Sequence, residues 1–350
     1  MAKKRLAELS YLNLLLCLLV IFIHVSAEPV SRLNRDSLQY LVVVVPWRLS
    51  AFVVQGFFFL SGVKLCLGAK EPFDAPHFWL RRVRTVVLPY VAWVFLYYCW
   101  FCRHGYFPFR LGDLGGYLLR GDLVSPFYFV VTIVQFYLLA PLFLRAVERL
   151  RPALLLAGSL VVMVVLWKGL PQLLRLASIS EDFRYTDRVF TTYLFYFTAG
   201  CVAGKHYAAF CAWLRKRRLP LCLAFGLLGV GDVWIYGRLL PVVGGFFADL
   251  FHMGYCVAAI AALLSLALLL AERGMPPAAA AMDAVTYPVF LCHSLIIFWL
   301  NDKMTALGLC DLAYRFLLRT VVVYPTAFAL CLLWRRGKSW LKMRWEGRNR

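Results

Sequence analysis

Two polar side chains interrupt the first apolar stretch of the chain, Asn13 and His24. Residues eleven apart on an α-helix fall about 20° from three full turns, so both lie on one face, roughly 16 Å apart along the axis. An ionisable group inside such a stretch is costly to bury and points to function. A neutral imidazole suits proton abstraction near pH 7, and Glu28, one turn further on, is placed to orient it. His24 is therefore a candidate general base; the alternative is an interfacial histidine without a chemical role.

Two arginines, Arg81 and Arg84, follow a predicted helix start at Asp74 and Pro76, which are residue types favoured at an N-cap and in a first helical turn. At a spacing of three the two guanidinium groups share one helix face, whereas Arg82 points elsewhere. Guanidinium groups bind phosphate through paired hydrogen bonds. The pattern predicts a phosphate site, with attachment to lipid headgroups as the alternative.

A small pair, Ser61-Gly62, follows three phenylalanines at 57–59. Small residues let another helix or a ligand approach the backbone closely. No base adjacent to Ser61 is visible, so a packing position is the alternative to a ligand contact. Gln135 and Tyr137 are polar groups inside a later apolar stretch.

The composition indicates a membrane protein. Apolar residues make up 62% of the 350 residues and charged residues 16%, against roughly 45–50% and 25% in ordinary globular domains. A soluble fold cannot bury so much apolar surface, and continuous Leu-rich runs that lack the alternation of a barrel strand argue against a β-barrel. We therefore predict an all-α, polytopic transmembrane helical bundle. The predicted spans are ten, at about 9–28, 40–64, 85–102, 124–144, 152–168, 188–204, 219–236, 246–271, 285–300 and 312–334.

The distribution of charge predicts the orientation of these spans. Most of the 38 Lys and Arg residues fall in the segments that are cytoplasmic if the N-terminus, with Lys3, Lys4 and Arg5, is inside. Both termini are then cytoplasmic. The net charge of +20 is explained by basic loops facing anionic membrane lipid, so no nucleic-acid partner is expected. We expect residues 1–350 to form a single integral membrane domain, without a cleavable signal peptide or an appended soluble domain.

The eleven cysteines indicate no metal site. Most lie inside predicted spans, where cysteine is a small apolar side chain. Cys99 and Cys102 have a metal-ligand spacing, but no matching His or Cys pair accompanies them. We expect no bound metal.

Five motifs occur in a recognisable order. A basic N-terminal cluster and a helix ending in His24 precede FFFLSG at 57–62, FWLRRVRTVVLPY at 78–90, FYFVVTIVQFYLLAPL at 127–142 and YPVFLCHSL at 287–295. This order resembles the acyltransferase-3 family of bacterial integral membrane acyltransferases, over nearly the whole chain. His24 matches the family's first-helix histidine. Arg81 and Arg84 match the family's R-x-x-R pair. Ser61-Gly62 matches the family's Ser-Gly pair.

The resemblance implies O-acyl transfer, usually of acetyl, from cytoplasmic acyl-CoA to a cell-envelope glycan or lipid-linked sugar in the bacterial cytoplasmic (inner) membrane. Acyl-CoA is then a donor substrate, and no cofactor is permanently bound. His24 would be the base or form a transient acyl-imidazole, with Glu28 beside it, while Ser61 and Tyr137 would polarise the thioester carbonyl. Where relatives commonly carry a basic residue, eleven positions before the histidine, this chain has Asn13, which can contact the donor only through hydrogen bonds.

Two other functions remain open from the residues alone. A transporter or flippase for a polar metabolite or glycan would line its pathway with polar groups inside spans. The candidates are Asn13, His24, Gln135, Asp232, His252 and His293. Against this function, no inverted repeat is visible. The third possibility is a sensory or scaffold membrane domain without catalysis.

Overall fold

The computed structural model describes residues 6–179 and 183–348. Lys3, Lys4 and Arg5, which predict a cytoplasmic N-terminus, lie outside these ranges. Within them the chain is α-helical and contains no strand, so the predicted all-α fold is confirmed. The helices, in chain order, are α1 Ala7–Val25, α2 Ala27–Arg32, α3 Leu38–Leu49, α4 Val53–Gly68, α5 Ala75–Arg82, α6 Leu88–Arg103, α7 Leu111–Arg120, α8 Tyr128–Leu138, α9 Ala140–Arg149, α10 Pro152–Leu176, α11 Leu194–Lys205, α12 Tyr207–Lys216, α13 Arg218–Trp234, α14 Leu240–Val243, α15 Gly245–Glu272, α16 Pro277–Asp283, α17 Thr286–Ala306 and α18 Leu312–Arg348.

Seven stretches of the described chain are helical, long and apolar enough to cross a membrane. They are Ala7–Val25, Leu38–Gly68, Ala75–Arg103, Pro152–Leu176, Arg218–Val243, Gly245–Glu272 and Leu312–Trp340. The number rises to nine if each of two bent pairs is one span, Leu111–Arg120 with Ser125–Leu138 and Pro277–Asp283 with Thr286–Ala306.

The span predicted at 188–204 has no counterpart among these stretches. Its residues form short 3-10 turns followed by α11, whose 12 residues reach only about 18 Å. A hydrocarbon core is about 30 Å thick. A multi-pass bundle is confirmed, whereas the count of ten spans and the cytoplasmic termini stay predictions.

The helices form two compact units. Unit 1 consists of Met1–Val53 and Cys211–Arg350, and unit 2 of Val54–Phe210. In unit 1, α1 packs against α15, α17 and α18, because its apolar side chains continue around most of the helix.

Two contacts define the register of α1 against α18. The Tyr324 hydroxyl donates to the carbonyl oxygen of Leu18 at 2.9 Å. Further along α1, the ring of Phe22 meets that of Phe316 edge-on, with centroids 6.3 Å apart. Rising numbers on α1 meet falling numbers on α18, so the two helices are antiparallel.

Unit 2 is held together by stacked aromatic rings. Phe58 stacks on Tyr193 with centroids 4.4 Å apart, and Phe136 on Phe197 at 4.2 Å. A π-helical turn at Val83–Val87 joins α5 to α6. Such turns occur often at functional sites because they displace the side chains of one helical turn.

Candidate functional site

His24 lies in the last turn of α1 and is partly exposed. Its imidazole lies beside that of His293 in α17, with ring centroids 5.2 Å apart and ring planes inclined by 41°. Among the described residues, no hydrogen bond reaches either ring nitrogen of His24. Both nitrogens are therefore free to bind a substrate.

His293 differs from His24 in both burial and hydrogen bonding. It is fully buried, and its Nδ1 lies 3.1 Å from the carbonyl oxygen of Val289. A carbonyl oxygen only accepts, so Nδ1 carries a proton. Nε2 lies 3.3 Å from the Ser294 hydroxyl, which donates to it when the ring is neutral. Both nitrogens of His293 are therefore engaged, and its full burial favours the neutral ring.

Asn13 ties α1 to the start of α17. Its amide nitrogen donates to Asp283 at 2.7 Å and to Thr286 at 2.9 Å. Asn13 and His24 thus both face the α16–α17 segment, the arrangement that their spacing predicts. A basic residue at this position would meet the same Asp283 carboxylate. The predicted contact of Asn13 with the donor stays a prediction.

Glu28, in α2, is engaged by arginines. Its carboxylate forms ion pairs with Arg32 at 2.8 Å, with Arg315 at 3.4 Å and with Arg319. Arg319 is 1% exposed, and its Nε donates to Asn301 at 2.7 Å. No contact with His24 is found for Glu28 in the described part of the chain, so its predicted role in orienting that ring stays a prediction.

Sequence reasoning missed Arg315 and Arg319, although a signal was present. Both lie inside the span predicted at 312–334, four residues apart and hence on one helix face. Ionisable groups inside spans default to functional candidates, and these two satisfy that criterion as well as His24 does.

The Ser61-Gly62 pair lies where α4 crosses α11. A Cβ on Gly62 would collide with the carbonyl oxygen of Phe197 and lie 2.9 Å from the Cys201 nitrogen. Reciprocally, a Cβ on Gly200 of α11 would collide with α4 backbone. The close backbone approach that the pair predicts is confirmed at Gly62. The role of the half-buried Ser61 in polarising a carbonyl stays a prediction.

Three arginines at the α5–α6 junction differ in their surroundings. Arg81, at the end of α5, and Arg84, in the π-helical turn, are exposed. The guanidinium of Arg82 instead lies over the rings of Tyr137 and Phe78, 4.5 and 4.9 Å from their centroids. The predicted divergence of Arg82 from the other two is confirmed. The exposed pair remains available for phosphate, and Tyr137 contacts Arg82 rather than either member of that pair.

Gln135, a candidate for lining a transport pathway, has a structural role. Its Nε2 donates to the carbonyl oxygen of Arg188 at 2.6 Å, and its Oε1 accepts from the Phe190 backbone at 3.1 Å. The amide thus holds the loop that leads into α11.

Asp232 and His252, two more pathway candidates, belong to one buried ion-pair network. Asp232 is fully buried in α13. Its carboxylate forms an ion pair with Nε of Arg48 in α3 at 2.8 Å and lies 3.0 Å from Nδ1 of His252 in α15. The network joins three helices of unit 1, so each charge has a partner.

The candidate residues thus fall in both units. Unit 1 contains Asn13, His24 and Glu28, and unit 2 contains Ser61, Arg81, Arg84 and Tyr137. Within residues 6–179 and 183–348, no group of three or more His, Cys, Asp or Glu side chains is arranged to hold a metal ion.

Comparison with known proteins gives one match. No curated protein and no solved structure matches the chain. A family model described as an acyltransferase domain, of the acyltransferase-3 type, matches residues 6–336, a range that includes every candidate residue above. The chain therefore belongs to the acyltransferase-3 family and is a multi-pass membrane acyltransferase.

Proposed function

We propose that the protein transfers an acyl group, acetyl in the simplest case, from acyl-CoA to a hydroxyl of a cell-envelope glycan or lipid-linked sugar. We propose the bacterial cytoplasmic membrane as its location. Membership of the acyltransferase-3 family supports acyl transfer. The donor and the acceptor are what the resemblance to this family implies, and they are part of the proposal.

One contrast carries the proposal. Three other polar groups inside the apolar segments of unit 1 are engaged: Asn13 by Asp283, His293 by Val289 and Ser294, and Asp232 by Arg48. His24 is partly exposed, and both its nitrogens lack hydrogen-bond partners among the described residues. A free imidazole nitrogen is what a general base requires.

The reaction then needs one proton acceptor. His24 takes the proton of the acceptor hydroxyl as its oxygen attacks the thioester carbonyl carbon. The tetrahedral intermediate collapses, the carbon–sulfur bond breaks, and the CoA thiolate leaves. The proton on His24 passes to that sulfur, so the products are the ester and free CoA, and His24 is neutral again. While His24 carries the proton it is positively charged. The neutral ring of His293 beside it does not repel that charge.

The donor's phosphates require cations, and unit 2 provides two. Arg81 and Arg84 are exposed, whereas the intervening Arg82 is covered by Tyr137 and Phe78. Two guanidinium groups within one turn suit the phosphates of coenzyme A. We propose that they bind the donor.

Purified protein in phospholipid vesicles tests the proposal. With acetyl-CoA and an extract of envelope glycans, we expect release of free CoA together with acetyl incorporation into the glycan fraction. Both should fall by about 10²- to 10⁴-fold in a folded His24→Ala variant, the usual contribution of a general base. Flux of a sugar into the vesicles without acetyl-CoA consumption would contradict the proposal and favour a transporter.

A further inference from the structure

One carboxylate in unit 1 is shared by three guanidinium groups. Glu28 pairs with Arg32, Arg315 and Arg319. The side chain of Arg32 is 66% exposed, so water screens its charge, whereas those of Arg315 and Arg319 are 11% and 1% exposed. Two buried positive charges therefore face one negative charge.

Within the described residues, the other hydrogen bonds of the two buried arginines go to neutral groups. Arg315 donates to Thr305 Oγ1 at 3.3 Å and to the Leu309 carbonyl at 3.0 Å, and Arg319 donates to Asn301. These acceptors satisfy hydrogen bonds but carry no charge. An uncompensated buried charge is strongly unfavourable, so the cluster favours the arrival of an anion.

Unused donors remain in the cluster. Nη1 of Arg319 is buried without a hydrogen-bond partner. Nη2 of Arg315 also makes no hydrogen bond within the described residues, but it is not fully buried, so Arg319 provides the buried donor. Buried donors without partners are rare in folded proteins and call for an explanation by a ligand, ion or water. Carboxylates and phosphates are the groups that guanidinium donors bind most strongly.

The cluster is near the proposed base in the chain and in the register of the helices. Glu28 is four residues after His24. On the facing helix, Phe316 contacts Phe22, and the antiparallel register of α1 and α18 brings His24 level with the turn from Arg315 to Arg319. A ligand held by these arginines would present its neighbouring groups to the free imidazole.

We propose that Arg315 and Arg319 bind an anionic group of the acyl acceptor, a carboxylate or a phosphate on the sugar whose hydroxyl His24 deprotonates. The inference rests on the proposed function and names its acceptor class: acidic or phosphorylated sugars rather than neutral ones. The alternative is a purely structural cluster that fastens α2 to α18.

Direct binding separates these two roles without requiring acyl transfer. The full-length protein in lipid nanodiscs, saturated with CoA to occupy the donor site, is titrated with glucose, glucuronate and glucose 1-phosphate. We expect both anionic sugars to bind at least about tenfold more tightly than glucose, because each gains charge-assisted hydrogen bonds. Glucuronate and glucose 1-phosphate distinguish a carboxylate from a phosphate preference.

Three variants identify the groups responsible. Arg319→Gln should bind all three sugars with similar affinity, and Arg319→Lys, which retains the charge, should keep part of the preference. Arg32→Gln is the matched control: it removes the exposed partner of the same Glu28 and should keep the full preference. Equal affinities in the wild type, or a preference that survives Arg319→Gln, would overturn the inference. Binding of anionic sugars without any acetyl transfer would instead contradict the proposed function alone.

Discussion

The imidazole rings of His24 and His293 lie side by side, 5.2 Å between centroids, although 269 positions separate them in the chain. The two rings are chemically unequal. His293 uses both nitrogens inside α17, on Val289 and Ser294, while the nitrogens of His24 have no partner in the described chain. We infer that His24 is the general base and that His293 is an uncharged neighbour that packs against it.

Exchange of each histidine for phenylalanine tests this asymmetry. His293→Phe keeps a ring of similar size and loses only local hydrogen bonds, about 1 kcal/mol of stability. We expect it to keep acetyl transfer within about tenfold of wild type, whereas His24→Phe should lose about 10²-fold or more. Steady-state transfer rates of the two purified variants make the comparison. Equal losses in both would show that His293 takes part in moving the proton.

The sequence predicts which residues of this site share a helix face, but not which helices pack together. Helical periodicity is local, so the common face of Asn13 and His24 followed from their spacing alone. The divergence of Arg82 from Arg81 and Arg84 followed in the same way. The His24–His293 contact could not, because it depends on how distant helices pack.

Most predicted spans have a counterpart among the long apolar helices or bent helix pairs, whereas the span predicted at 188–204 has none. Apolar length marks a helix such as α10 or α15, but it does not show where a helix breaks. The stretch at 188–204 is apolar enough for a span, yet Gln135 binds the backbone of Arg188 and Phe190 and holds the start of that stretch in short turns. Such tertiary hydrogen bonds leave no trace in local composition.

The exposed arginine pair should bind the donor. An Arg81→Ala/Arg84→Ala double variant removes two guanidinium groups that we assign to phosphate. We expect its affinity for acetyl-CoA to fall by about tenfold or more, measured by equilibrium binding in nanodiscs.

A second arginine pair gives the matched control. Arg149 and Arg151 are also exposed, at the junction of α9 and α10. The Arg149→Ala/Arg151→Ala variant loses the same charge and should bind acetyl-CoA as wild type does. Unchanged affinity in the first variant would assign Arg81 and Arg84 to lipid headgroups.

Gly62 is predicted to be intolerant of any side chain. In Gly62→Ala the new methyl group would collide with the Phe197 carbonyl of α11. Separating α4 from α11 should cost about 1–3 kcal/mol, the usual effect of overpacking. Thermal unfolding in detergent measures the loss. Gly158→Ala, in α10 with open space around the added carbon, should not lower the unfolding temperature, and a Gly62→Ala protein as stable as wild type would refute the close crossing.

The ion-pair network around Asp232 is predicted to be structural. Asp232→Asn keeps the shape of the side chain but leaves Arg48 without its carboxylate, so we expect a loss of about 3–5 kcal/mol in stability. Denaturant unfolding of the purified protein measures it. The exposed Asp36 supplies the control, and Asp36→Asn should have little effect. A stable Asp232→Asn protein with altered sugar flux would point to a transport pathway instead.

The most direct test of the account is acetyl transfer by a His24→Ala variant whose folding is verified by its thermal unfolding temperature. Because the free imidazole is assigned the role of base, we expect turnover to fall by about 10²- to 10⁴-fold, with acetyl-CoA affinity unchanged and activity partly restored by added imidazole. Wild-type turnover in the folded variant would contradict the account and remove His24 from the chemistry.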